Sequence, residues 1–122
     1  MSMKRFYLLA AILGAIAPYA TYFGYLAYVP GASGALSLAW ASAISAATLV
    51  DFSISCLVFW PFVFVESKRL SIKWPPLIVV ANILIGLSFA LPLFLYCREI
   101  AMEKIATQKI ATEKIAVEKK SQ

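Results

Sequence analysis

Three long apolar runs occupy most of this chain: residues 6–29, 30–65 and 74–97. Asp51 is the one charged side chain inside them. A bilayer core is about 30 Å thick and takes about 20 apolar helical residues to cross. In hydrocarbon every backbone N–H and C=O must be paired within the structure, which leaves helices and closed barrels. Barrel strands alternate apolar and polar residues, and these runs do not. The sequence therefore implies an all-α integral membrane protein.

Composition narrows the chemistry. With 122 residues, 62% of them hydrophobic and 14% charged, there is no room for a separate soluble domain. The chain has no histidine, which removes the commonest metal ligand and general base. Two cysteines, Cys56 and Cys97, cannot assemble the four ligands that zinc wants. They read as small apolar packing residues, and a disulfide between them would require a common depth. Cys97 beside Arg98 has acylation as its alternative. No metal and no cofactor is expected. The net charge of +5 comes from lysines and arginines lying wholly outside the apolar runs. That pattern fits lipid phosphates at a membrane border rather than nucleic acid.

The first run reads as a span over about residues 6–28. A cleaved signal peptide is its alternative, with Lys4 and Arg5 as the charged region and Ala15-Ile16-Ala17 before the cut. Pro18 follows that site directly, and the apolar run continues to Tyr28. The second run would stretch about 50 Å as one straight helix, yet two full spans would need about 40 residues and a turn. Leu36, Trp40 and Ile44 fall on one helical stripe, and Trp favours the interface. These features predict a short interfacial helix at about 33–43, then a span at about 44–65. After a charged loop, Pro75 and Pro76 suit a helix start, and the third span runs over about 75–96.

Residues 1–98 thus form a membrane domain of three transmembrane helices, with a helical or frayed tail at 99–122. The tail repeats every five residues: EKIAT, QKIAT, EKIAV, EKKSQ. A five-residue step does not keep the isoleucines on one face, so no coiled-coil seam follows. Three spans put Lys4, Arg5, Lys68, Arg69 and Lys73 on one side, with Arg98 and the tail lysines on the other. Loop cations then favour a cytoplasmic N-terminus in a cell membrane or other bacterial inner membrane. Four spans would unite the N-terminus with the tail, which the charges prefer and the run lengths oppose.

Chemistry, if present, centres on Asp51. A carboxylate in hydrocarbon must pair, protonate or face water. Antiparallel packing about the 66–75 loop would bring Ser88 to its depth, and the first span would offer Tyr22. Asn82 adds a polar contact between helices. Three roles are open: a polar tie, a proton or ligand site, or a helix cap after a break at Val50. Glu66, Arg69 and Arg98 are candidate membrane-border charges. Tyr19, Tyr22, Tyr25 and Tyr28 recur every three residues and read as an interfacial belt. An aromatic pocket for a pigment, quinone or isoprenoid is the alternative.

The stretches DFSISCLVFWPFVFVESKRL and ANILIGLSFALPLFLYCRE, with Trp74 between them and APYA in the first run, resemble domain-of-unknown-function family 2834. These are small integral membrane proteins common in bacteria, including cyanobacteria. The resemblance covers about residues 6–99 and leaves out the repeat tail. It implies three spans with Asp51 inside the second, and it points to Asp51, Glu66, Arg69, Asn82 and Arg98 as site residues. It implies no activity. The sequence holds no nucleophile–base pair, metal cluster or nucleotide loop. A non-enzymatic accessory or assembly protein, homo-oligomeric or bound to a larger membrane complex, fits best. An oligomeric transporter or channel subunit using Asp51 is the alternative. An enzyme acting on isoprenoid lipids rests on one intramembrane carboxyl.

Overall fold

A computed structural model of the chain describes residues 3–28 and 40–122, which form four α-helices. They are α1 (Met3–Tyr28), α2 (Ala43–Leu70), α3 (Pro75–Leu84) and α4 (Leu87–Ser121). Two stretches, Met3–Gly24 and Ala43–Leu70, are long and apolar enough to cross a membrane; Pro75–Leu84 is apolar but short. Most of the expected interfacial helix, residues 33–39, lies outside the described residues. Residues 40–42 are not helical but form a turn and bends. Ser42 caps α2 by accepting the Ser45 N–H on its hydroxyl at 3.1 Å.

The third run departs from expectation. It is not one helix from Pro75 to Tyr96 but two, divided at Ile85–Gly86. Gly86 has φ 120° and ψ 171°, a conformation that only glycine adopts readily. The chain reverses there. Trp60 on α2 bonds Asn82 on α3, and Ile78 packs with Phe59 and Val63, so α3 runs antiparallel to α2. Going back, Leu87 lies by Ile54 and Ser55, Phe94 by Phe59 and Phe62, and Arg98 by Glu66. So α4 runs parallel to α2, and α3 with the start of α4 is a helical hairpin.

The way into the hairpin is set by two left-handed residues. Ser71 (φ 53°) ends α2, with Ile72 N–H donating to Ser67 O at 2.9 Å and Ser71 N–H to Lys68 O at 3.5 Å. This is the paired closure that commonly stops a helix. Trp74 (φ 68°) then opens α3 ahead of its two prolines. The bundle core is Phe59, Val63, Ile78, Ala90 and Phe94. Phe94 receives Phe59 and Phe62 nearly edge-on, with ring centroids 6.1 and 5.6 Å away, a favoured aromatic geometry.

Helix α1 packs on α4, antiparallel to it. Lys4 pairs with Glu103, Ser88 Oγ donates to the Gly14 carbonyl at 3.2 Å, and Tyr19 Oη donates to the Leu84 carbonyl at 2.5 Å. That last carbonyl sits at the hairpin turn, where the following helical turn is missing. Among the described residues, α1 and α2 share no close backbone approach. Beyond the hairpin turn the last part of α1 and the first part of α2 run on by about 15 Å each. The start of α1, the 71–74 turn and the middle of α4 all lie at one end of the bundle. The expectation that Arg98 and the tail sit opposite Lys4, Lys68 and Arg69 is therefore not met. The tail continues α4 as one helix to Ser121.

Candidate functional site

The hairpin brings three of the sequence-identified charges together. Glu66 is buried on α2, and Arg98 Nε donates to its Oε1 at 2.8 Å. Arg69, one turn along α2, reaches Oε2 at 3.5 Å from an exposed position. A buried carboxylate needs compensation, and here one arginine from another helix supplies the close contact. The cluster ties the end of α2 to α4 where α4 leaves the bundle.

A second polar tie lies deeper. Trp60 Nε1 donates to Asn82 Oδ1 at 2.8 Å. Indole N–H is a donor only, so the amide oxygen must face it. Asn82 is 3% exposed, and its Nδ2 has no partner among the described residues, nor has the buried Ser67 hydroxyl.

Asp51 does not join either tie. It is exposed on α2, and its carboxylate has no hydrogen bond or ion pair among the described residues. The expected Ser88 partner is turned toward Gly14. Tyr22 is exposed, stacked edge-on with Phe23 at 5.6 Å, and Asn82 is held by Trp60. A cap after a break at Val50 is also not found, because α2 runs unbroken through Asp51. Position still matters. Asp51, Ser55, Val58 and Phe62 fall at i, i+4, i+7 and i+11, one stripe of α2. The last three line the cleft against Leu87 and Leu91 at the start of α4. Asp51 is thus one turn beyond the N-terminus of α4, whose cap residue Gly86 provides no side-chain bond.

Both cysteines are free. Cys97 closes the third apolar run on α4 and is partly buried. Among the described residues no three His, Cys, Asp or Glu side chains gather where a metal could sit.

The family model described as Protein of unknown function DUF2834 matches residues 6–100. The chain belongs to the DUF2834 family. No curated protein and no solved structure matches it. The DUF2834 match takes in all of the hairpin and the Glu66–Arg98 tie, and stops before the repeat tail and Glu103. Gly14 and Trp60 escape a reading of apolar runs, and Tyr19, expected in an interfacial belt, instead bonds the Leu84 carbonyl. Each acts by contact across helices, and only Gly14, in a row of small residues, carries a local signal.

Proposed function

We propose that this is a multi-pass membrane subunit that works by association with other chains rather than by catalysis. Helices α1 and α2 cross the bilayer, and the α3–α4 hairpin enters from one side and returns to it. The observation that carries the reading is Asp51, an exposed carboxylate with no partner among the described residues, in the first half of a long apolar helix. Facing lipid there costs several kcal/mol, at the order of the ~3 kcal/mol found for aspartate at a helix centre. A second copy or a larger complex that covers the first half of α2 removes that cost. The end that gathers Lys4, Arg5, Lys68, Arg69, Lys73 and Arg98 is cytoplasmic in this reading, and the tail lies there too.

Sidedness is directly testable. Single cysteines replacing Lys73 and Ser121, in a chain freed of Cys56 and Cys97, should both resist an impermeant thiol reagent in intact cells. Both should label after permeabilisation. Labelling of one and not the other would mean that residues 75–96 cross the bilayer, and the hairpin reading would fall.

Association is tested at Asp51. Asp51→Asn keeps hydrogen bonding and should preserve the assembled mass in mild detergent, within about 1 kcal/mol. Asp51→Leu should shift the protein to the monomer while leaving it folded and more tolerant of lipid. A wild type that is monomeric at all concentrations, in membranes and in detergent, would defeat the association reading.

One geometric observation supports a second reading, the oligomeric transporter or channel subunit. The N-terminus of α4 ends inside the bundle one turn from Asp51, and broken helices of this kind carry ion sites in transporters. An Asn variant that is folded and assembled yet fails to restore a deletion phenotype would favour it, since an amide cannot carry a proton.

A further inference from the structure

At the cationic end of the bundle a cleft of about 420 Å³ lies between the 71–74 turn and α4. Leu70, Ile72, Cys97 and Ile100 make an apolar floor, and Lys73 and Lys104 stand in its lining from opposite walls. Neither lysine has an acidic partner among the described residues. Glu66 is taken by Arg98 and Arg69, and Glu103 by Lys4; Glu99 is not part of the lining. Lys104 lies six residues past Arg98, about 9 Å along the helix, and so stands beside the turn rather than alongside the apolar part of α4.

We propose that this cleft seats one anionic phospholipid, its phosphate between Lys73 and Lys104 and the top of an acyl chain on the Leu70–Ile72–Ile100 floor. The combination selects the occupant. A free phosphate has no use for an apolar floor, and the cation of a zwitterionic headgroup meets two uncompensated ammonium groups. A lipid whose headgroup carries net negative charge satisfies both walls. Bound there, it bridges the 71–74 turn to α4 and fills a gap that protein atoms leave open. The proposal rests on the membrane reading above.

The full chain in mild detergent is titrated with phosphatidylglycerol or with phosphatidylcholine of the same acyl chains, and bound lipid is counted by native mass spectrometry. One phosphatidylglycerol per chain should bind roughly twenty-five-fold more tightly than phosphatidylcholine, about fivefold for each lysine. Lys73→Gln with Lys104→Gln should erase the preference, and Lys109→Gln with Lys114→Gln, an equal charge change farther along the tail, should keep it. Ile100→Trp leaves the charge intact and fills the floor, so it should lose the lipid as well; this variant decides the matter if the glutamine pair does not fold. Equal binding of the two lipids, loss of preference in the tail control, or competition by millimolar inorganic phosphate would overturn the proposal. Flotation separates this failure from that of the membrane reading. A chain that floats with pure phosphatidylcholine vesicles but shows no lipid preference refutes only the cleft. A chain that floats with neither vesicle refutes the membrane reading.

Discussion

Replacing Gly14 with leucine should detach the first helix from the hairpin. A Cβ at Gly14 would overlap the Ser88 carbonyl oxygen and carbon and lie 3.0 Å from the Phe89 nitrogen. All three are backbone atoms, so no side chain can swing aside. The helices must separate, and the contacts that depend on the close approach go with it: Ser88 to the Gly14 carbonyl, Tyr19 to the Leu84 carbonyl, and the buried Ala11. Overpacking alone costs about 1–3 kcal/mol, and Gly14→Ala should already show part of it. The readout is a cross-link, made by a short bifunctional thiol reagent that replaces the reach of the Lys4–Glu103 pair, between cysteines at positions 4 and 103, in a chain without Cys56 and Cys97. It should form readily with Gly14 in place and largely fail with leucine. Undiminished cross-linking in Gly14→Leu would mean that α1 does not rest on α4 as described.

The apolar runs made the helices legible, because length and hydropathy are local properties. Helix α2 starts at Ala43, after a serine cap, and runs to Leu70, past the expected end near 65 and into the expected loop. The hairpin was less legible. Residues 75–96 have the right length and apolarity for one span, and the two prolines at their start suit a helix. The break rests on Gly86, whose φ of 120° is a tertiary outcome; glycine also occurs inside membrane helices, so its presence alone does not mark a turn. The other differences in topology follow from that break. A through-going helix puts Arg98 and Glu66 at opposite faces, and the reversal puts them 2.8 Å apart. The charge distribution held the correct hint, since it favoured the N-terminus and tail at one end. Asp51 shows the converse. It lies about one turn beyond the start of α4 that carries Ser88, but nearness along the bundle does not say which way a hydroxyl turns, and Ser88 turns to Gly14.

Arg98→Met should be the most destabilising single change in the polar half of the bundle. Glu66 has a side chain only 8% exposed, and Arg98 is its close partner at 2.8 Å; Arg69 stands off at 3.5 Å and is 68% exposed. Removing the partner of a buried charge costs about 3–5 kcal/mol, because the remaining ion is left uncompensated. Arg69 recovers little of this, since a solvated side chain must be drawn in to replace a contact that geometry already fixed. Methionine keeps most of the volume, so the loss reports on charge rather than packing. The double variant isolates the effect of the lone buried charge. Glu66→Leu with Arg98→Met removes both ions, and apolar replacement of a buried pair is often neutral or stabilising. It should therefore unfold at higher denaturant than Arg98→Met alone. Arg69→Met, by contrast, should cost about 1 kcal/mol or less, as exposed pairs do. The measurement is unfolding in mixed micelles of rising SDS fraction, followed by far-UV circular dichroism. If Arg98→Met and Arg69→Met unfold together, Glu66 is not buried against α4, and the tail leaves the bundle somewhere other than beside the end of α2.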